Sequence, residues 1–163
     1  MSHARCFTLH GRGRASICLI GDPPDPLWDQ EECEGLLLRE IPCEEASSLI
    51  EFVEENVFRV KSPILVLIGN KYMLARESCR LRAFTVEAKQ LFLTVREGEE
   101  LEEGSTVGYW RSSKGVIRRV RSPLSGTLFL ILWDPTARPQ RYTFLVDTEG
   151  EVVKGCLEKK STS

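Results

Sequence analysis

The sequence lacks the short motifs that identify the commonest enzymes and cofactor-binding proteins. It has no glycine-rich G-x-G-x-x-G fingerprint, no P-loop and no H-E-x-x-H zinc motif. Histidine occurs only as His3 and His10, and nothing in the sequence places either beside a nucleophile that it could activate. We therefore predict no catalytic residue, and we expect that the chain is not an enzyme.

Long apolar runs and a secretion signal are missing as well. The longest apolar run covers residues 63–69, far short of the ~20 residues that a membrane-spanning helix needs. The first residues contain no apolar segment of the kind found in signal peptides. We expect a cytoplasmic protein that makes no contact with a membrane.

Cysteine is present, but not at the spacing that binds zinc. The six cysteines occupy positions 6, 18, 33, 43, 79 and 156, and no two are separated by two residues. No metal site is therefore predicted. In a cytosolic chain thiols usually stay reduced and mostly buried, which is our expectation here, and disulfide formation is the alternative.

A large excess of one charge is also missing, since the net charge is only −2. This argues against nucleic-acid binding as the main role. The charge is uneven, because residues 97–103 are acidic and residues 111–121 carry five arginines and lysines but no acid. Strand alternation would place Arg119 and Arg121 on one face and Arg118 on the other, which weakens a single phosphate-binding groove. We expect this basic strand to pair with the acidic loop, and nucleic-acid binding through residues 111–121 is an alternative.

The first half of the sequence predicts one helix and several strands. Apolar residues at helical spacing predict the helix over residues 44–58, packed against a buried strand at residues 64–68. Replacing Val53 with alanine should then cost roughly 1–3 kcal/mol. A loop with three prolines is expected over residues 22–29. Further strands are predicted at residues 5–10, 15–21, 35–41, 72–75 and 81–86.

Residues 91–133 contain only strand and turn patterns. Leu91 and Leu93 begin an alternating strand, and Gly98 and Gly104 each open a turn. Gly115 allows a tight hairpin, because glycine readily adopts the left-handed conformation. The alternating, mostly β-branched residues predicted to supply much of a β core are Val95, Val107, Val116, Val120, Leu128 and Leu130.

Two motifs in this region resemble those of biotinyl and lipoyl carrier domains. EGEELEEGSTV, at residues 97–107, is similar to the family's EGDxVxxGxxL. RSPLSG, at residues 121–126, is similar to its (R/A)SPxxG. The resemblance extends over residues 91–146 and implies a small two-sheet barrel, the barrel-sandwich hybrid. After the second motif the chain departs from the family pattern, with a shorter link that contains prolines.

The resemblance also implies a candidate attachment site for a cofactor. In these carriers a lysine on the hairpin between the two motifs carries biotin or lipoate, usually sixteen residues after the first glycine. Here Lys114 follows Gly98 by sixteen residues, whereas Gly115 is the residue that precedes Ser122 by the usual seven. The hairpin therefore has one extra residue, and the neighbours of Lys114 differ from those of the carriers. We expect Lys114 at an exposed hairpin tip, without a cofactor.

These observations give an α+β protein in three parts. They are an α+β unit at residues 1–87, a biotinyl/lipoyl-like barrel at residues 88–148, and a strand or partly disordered tail at residues 149–163. The whole chain also resembles an uncharacterised, mainly archaeal family of unknown function. The leading hypothesis is a non-catalytic, unmodified platform that binds an unidentified protein partner or associates with itself. A carrier with biotin or lipoate on Lys114 is the alternative.

Overall fold

The structure, a computed structural model, describes residues 4–21, 24–28, 33–112 and 114–157. The fold is mostly β, with 57% of residues in strands and 5% in a helix. The predicted α+β class is therefore wrong, because the one long helix expected from the sequence does not form. Among the described residues no helix has the length and apolar character needed to cross a membrane.

The described part of the chain contains one short 3₁₀ helix, Cys43–Leu49, and sixteen strands. In chain order the strands are β1 (Arg5–Thr8), β2 (Ser16–Ile20), β3 (Asp25–Trp28), β4 (Leu36–Ile41), β5 (Ile50–Glu54), β6 (Val57–Val60), β7 (Ile64–Ile68), β8 (Lys71–Ala75), β9 (Arg80–Ala88), β10 (Leu91–Leu93), β11 (Glu100–Leu101), β12 (Thr106–Arg111), β13 (Ile117–Arg121), β14 (Gly126–Asp134), β15 (Gln140–Asp147) and β16 (Val153–Cys156).

These strands form three antiparallel sheets. The seven-stranded sheet has the order β16-β8-β7-β1-β4-β2-β3, and the six-stranded sheet has the order β11-β14-β15-β9-β6-β5. The three-stranded sheet has the order β10-β12-β13. One core cluster contains buried residues of both larger sheets, so these two sheets pack face to face. A separate cluster joins the six-stranded sheet to the three-stranded sheet.

Strand β7 is buried on both faces, as the continuous apolar run at residues 64–68 predicts. Ile64 and Val66 point into the core shared with the six-stranded sheet. Leu65 and Leu67 point to the opposite side, into a second core formed with β2 and β4. The strands predicted at residues 35–41, 72–75 and 81–86 are confirmed by β4, β8 and β9.

The helix predicted over residues 44–58 is wrong. A 3₁₀ helix starts directly after Pro42 but ends at Leu49, and the chain then forms the hairpin of β5 and β6. Asn56 supplies the positive φ of the turn, at 61°, a conformation that asparagine tolerates better than most residues. The β-branched and aromatic residues after the 3₁₀ helix favour strand over helix. Val53 is 38% exposed, so its predicted stability cost does not apply.

A loop with three prolines was expected at residues 22–29, but residues 25–28 form strand β3, and residues 22, 23 and 29 lie outside the described residues. Strand β3 pairs with β2, with Pro26 opposite Leu19. Among the described residues β3 is the edge strand of the seven-stranded sheet, which is the position in a sheet where proline is tolerated.

Four cysteines form two disulfide bonds, so the expectation of reduced thiols is wrong for them. Cys6 of β1 is bonded to Cys43 at the start of the 3₁₀ helix, and Cys18 of β2 is bonded to Cys33. Both bonds fasten strands of the seven-stranded sheet to the segments beside them. Cys79 is free and buried, whereas Cys156 is free and exposed.

Strand β9 runs across the predicted boundary between residues 87 and 88. It pairs with β6 on one side and with β15 on the other. The division into two domains stays a prediction, and strands from both sides of it share the six-stranded sheet. Of the predicted C-terminal strand or tail, β16 is a strand of the seven-stranded sheet, and residues 158–163 lie outside the described residues.

Candidate functional site

The three-stranded sheet has one face against the core and one face toward solvent. Leu91 packs in the core beneath the sheet, and Val107 is fully buried there. The register places Phe92 opposite Tyr109, and Tyr109 opposite Arg119. Because neighbours along a strand point to opposite faces, this row of three side chains lies on the solvent side.

Regular alternation brings three more residues to the solvent side. Arg111 and Ile117 are opposite each other across β12 and β13, two residues from Tyr109 and Arg119 respectively. Arg121 follows Arg119 by two residues on the regular strand β13. We define the outward face by six of the residues on this solvent side of the sheet: Phe92, Tyr109, Arg111, Ile117, Arg119 and Arg121.

The outward face combines exposed apolar surface with positive charge. Phe92 is 51% exposed and Ile117 is 66% exposed, and Tyr109 between them is 36% exposed. No acidic residue occurs in β10, β12 or β13. In the described part of the chain, neither Arg111 nor Arg119 forms a salt bridge. The face is thus available to an acidic, partly apolar ligand.

The basic strand was expected to pair with the acidic loop at residues 97–103. For Glu100 of that loop this expectation is wrong. Glu100 forms a salt bridge of 2.9 Å with the ammonium group of Lys154. The Thr127 hydroxyl also donates a hydrogen bond to this carboxylate. The hydrogen bond from Thr127 has the larger effect and the contact with Lys154 the smaller, and together they hold the pKa of Glu100 below its usual value.

Most residues of the predicted β core are buried or half-buried, with one exception. Val107 and Leu128 are buried in the core beneath the three-stranded sheet, where Val95 and Val120 pack against them, and Leu130 is buried in the core of the two larger sheets. The exception is Val116, whose side chain is exposed because it closes the hairpin between β12 and β13. Its backbone C=O accepts a hydrogen bond from the N–H of Ser112.

A bulge in β14 explains why neighbouring residues face the same core. The register shifts between Leu128 and Leu130, so Phe129 has no direct partner on β15. Phe129 and Leu130 both enter the core of the two large sheets, whereas Leu128 enters the core beneath the three-stranded sheet. The strand prediction for residues 107–132 is confirmed, since the described residues of this range form strands and turns.

Lys114 lies in the exposed turn between β12 and β13. Gly115 follows it with a φ of +82°, a left-handed conformation that favours glycine. The N–H of Gly115 donates to the C=O of Ser112 at 3.0 Å and closes the turn. That Lys114 carries no cofactor stays a prediction, and biotin or lipoate on Lys114 stays the alternative.

A cavity of about 510 Å³ lies beside this hairpin. The described residues of its lining carry cations, amides and hydroxyl groups but no carboxylate, and include Lys89, Gln90, Arg111, Ser112, Gln140 and Tyr142. Burial raises the pKa of the Tyr142 phenol. The indole N–H of Trp133 donates to the Gln140 amide oxygen at 3.1 Å, which fixes one wall.

A second exposed apolar patch lies on the hairpin of β5 and β6, and its charge is opposite. Phe52 is 68% exposed and touches Phe58 edge to face, with 6.2 Å between ring centroids. Glu51 pairs with Arg59 within the hairpin. The chain continues into Glu54 and Glu55, which form no salt bridge among the described residues. We call residues 50–60 the acidic hairpin.

The described residues contain no group of three or more histidine, cysteine, aspartate or glutamate side chains that could bind a metal ion. Burial, followed by the charges of Glu151 and Asp147, raises the pKa of Cys79 to about 12. This thiol is therefore protonated at neutral pH and is a poor nucleophile.

Sequence reasoning missed the aromatic members of the outward face. The alternation of Leu91, Leu93 and Val95 already indicates that Phe92 points away from the core. An aromatic residue on the solvent side of an amphipathic strand is the signal that could have identified this face.

The sequence matches a protein family described as "Uncharacterized protein conserved in archaea (DUF2118)" over residues 29–149. The chain belongs to this family, and the match includes the acidic hairpin and the outward face. No curated protein matches the sequence.

Proposed function

We propose that the protein is a non-catalytic platform for protein interaction, with a biotinyl/lipoyl-like barrel, and that Lys114 carries no cofactor. The outward face is the surface through which it binds. The observation that carries this proposal is the exposure of Phe92, Tyr109 and Ile117 on one sheet face, among arginines that form no salt bridge with any described residue. Contiguous exposed apolar surface is a common mark of an interaction site.

The composition of the outward face supports protein binding. Tyrosine and arginine are enriched among the residues that contribute most to interface energies. Tyr109 and Arg119 are directly opposite each other on neighbouring strands, so a partner can contact both at once. The rigid sheet below them limits the conformational entropy lost on binding.

Affinity purification from the native source tests this proposal. A tagged wild-type chain should retain a protein partner that Tyr109→Ser and Arg119→Ser chains lose. Arg118→Ser is the matched control, because Arg118 is a neighbouring exposed arginine on the opposite face of the same strand. The purified partner should bind the wild-type chain directly, and equal binding to all variants would contradict the proposal.

A cofactor carrier modified at Lys114 is the second candidate function. It is supported by the exposed position of Lys114 in a turn where a modifying enzyme could reach the amine. A carrier protein supplies position and mobility, while its bound group performs the chemistry. The residues beside Lys114 differ from those of known carriers, which is why the unmodified platform is our first proposal.

The intact mass of protein from the native source separates the two functions. The platform predicts no added biotinyl or lipoyl group, whereas a carrier predicts one of these mass increments. If an increment is found, Lys114→Arg should remove it, and the proposal of an unmodified platform would then be wrong.

A further inference from the structure

We propose that the partner of the outward face is a second copy of this chain, which docks its acidic hairpin there. This inference rests on the proposed function, because it names the partner of the same face. It joins the two exposed aromatic patches described above, which carry opposite charges and lie on different sheets.

Both patches combine exposed apolar groups with charges that form no salt bridge among the described residues. The outward face presents Phe92 and Ile117 beside arginines. The acidic hairpin presents Phe52 and Val53 beside glutamates. Apolar contact supplies the main driving force for association, and opposite charges raise its rate and specificity.

Within one chain the charges of the two patches form no salt bridge with each other among the described residues. Neither Glu54 nor Glu55 pairs with Arg111, Arg119 or Arg121 in the part of the molecule that is described. Each set of charges is therefore free to meet its complement on another molecule.

Among contacts between these two patches, charge disfavours the pairing of like patches from two copies. Two outward faces in contact would bring at least six arginines together, three from each copy. Two acidic hairpins in contact would bring glutamates together in the same way. Like charges brought face to face oppose association. Only the contact of hairpin with face joins opposite charges.

The acidic hairpin lies at the edge of the six-stranded sheet. Strand β5 is the last strand of this sheet, and no other described strand pairs with its outer backbone groups. An exposed edge strand with a large apolar side chain favours contact with another chain. The bulge between Phe52 and Glu54 interrupts the regular ladder of β5, which disfavours uncontrolled strand addition.

Sedimentation of the purified full chain at several concentrations tests the proposal. We expect the weight-average mass to rise with concentration at about 0.05 M salt and to rise much less at about 0.5 M, where screening is stronger. Arg119→Glu should weaken association by roughly tenfold or more. Arg118→Glu is the control, because it makes the same charge change on the opposite face of β13. The chain with this substitution should associate like the wild type.

The hairpin side of the contact has its own variant and control. Phe52→Ser should weaken association by roughly tenfold, because Phe52 supplies the largest apolar contact of the hairpin. Leu36→Ser removes a similarly exposed apolar side chain from the seven-stranded sheet and should leave association unchanged. Thermal unfolding shows whether each variant is folded, and Arg119→Gln and Phe52→Thr replace any variant that is not.

Mixing the two weakened variants gives the most specific result. The Arg119→Glu chain keeps its hairpin, and the Phe52→Ser chain keeps its outward face. We therefore expect the mixture to form a one-to-one complex with an affinity near that of the wild type. A mixture that stays as weak as the separate variants would overturn the pairing of hairpin with face.

Other outcomes distinguish this inference from the proposed function. A wild-type chain that remains monomeric at every concentration overturns self-association. If that chain still captures a different protein, and Arg119→Ser abolishes the capture, the proposed platform function stands. If the chain is monomeric and captures no protein, but binds oligothymidylate unless Arg119 is replaced, both self-association and the protein-binding platform are overturned. The outward face would then be a nucleic-acid site. Association that Phe52→Ser leaves unchanged would overturn the acidic hairpin as the occupant.

Discussion

The seven-stranded and three-stranded sheets contain similar apolar strands but use them differently. Successive residues of β7 point to opposite faces, and both faces are buried, each in a separate core. In the three-stranded sheet only one face is buried, and Phe92, Tyr109 and Ile117 remain at the surface. Burial on both sides explains the sequence of β7 completely, whereas the outward aromatic residues of the smaller sheet have no such structural explanation.

The difference also appears in the charges. The arginine of β1, Arg5, forms a two-point contact with Glu40 on the neighbouring strand β4. The arginines of the outward face have no carboxylate partner among the described residues. Arg5 therefore has a carboxylate partner on the neighbouring strand, whereas Arg111, Arg119 and Arg121 have none in the described part of the chain, which supports the proposal that the outward face binds a partner.

The largest difference between the two sheets should be in stability. Phe7 is fully buried in the seven-stranded sheet, so Phe7→Ala should cost about 3–5 kcal/mol of unfolding free energy. Phe92→Ala is the matched change on the outward face and should alter stability by no more than about 0.5 kcal/mol. Denaturant unfolding of both variants measures this, and equal losses would show that the outward face is part of the core.

The disulfide bonds should stabilise the seven-stranded sheet without affecting partner binding by the outward face. The Cys6–Cys43 bond joins residues 37 positions apart, and replacing both cysteines with alanine should cost about 2–4 kcal/mol. Partner binding by the folded variant should be unchanged, since neither cysteine lies in the three-stranded sheet. A variant that keeps full stability but loses its partner would contradict this separation.

A buried carboxylate should make a smaller contribution at the link from β15 to β16. Asp147 accepts hydrogen bonds from the backbone N–H groups of Glu151 and Val152, at 3.1 and 2.9 Å. Asp147→Ala should cost about 1–3 kcal/mol, because it leaves these donors without an acceptor. Asp147→Asn retains one acceptor and should cost less, as chemical denaturation of both variants can check.

The smallest effect should come from the exposed pair of Arg5 and Glu40. The hydrogen bond from Arg5 lowers the pKa of the Glu40 carboxyl group. The pair therefore stabilises the fold at a pH above the unfolded pKa of Glu40, and this contribution is lost as the pH falls through the lower folded value. Its size should be below about 1 kcal/mol. Unfolding midpoints of the wild type and Glu40→Gln should converge at acidic pH, and a constant difference would contradict this.

Sequence patterns predicted the strands that have a single clear signal. The apolar run of β7 and the alternation of β10 both have the expected structure. The helix prediction failed at residues 44–58 because the same apolar residues satisfy a helical spacing and a short hairpin, and tertiary pairing with β9 decides between them. The pairing of cysteines could not be predicted, since it depends on which strands become neighbours.

The candidate site was only partly predictable for a related reason. Alternation along β13 correctly separates Arg118 from Arg119 and Arg121, but it does not show which strands lie beside them. The register of the folded sheet brings Phe92 and Tyr109 into line with Arg119. The outward face is therefore a product of the pairing of β10, β12 and β13, which alternation along a single strand does not show.

Oxidative footprinting of the outward face tests the central claim most directly. Hydroxyl radicals modify exposed aromatic side chains, so Phe92 and Tyr109 can be compared in dilute and in associated protein. Trp133 is an exposed aromatic residue on the six-stranded sheet and serves as the internal reference. We predict that association protects Phe92 and Tyr109 but not Trp133. Equal oxidation of Phe92 and Tyr109 in both states would show that this face is not the binding surface.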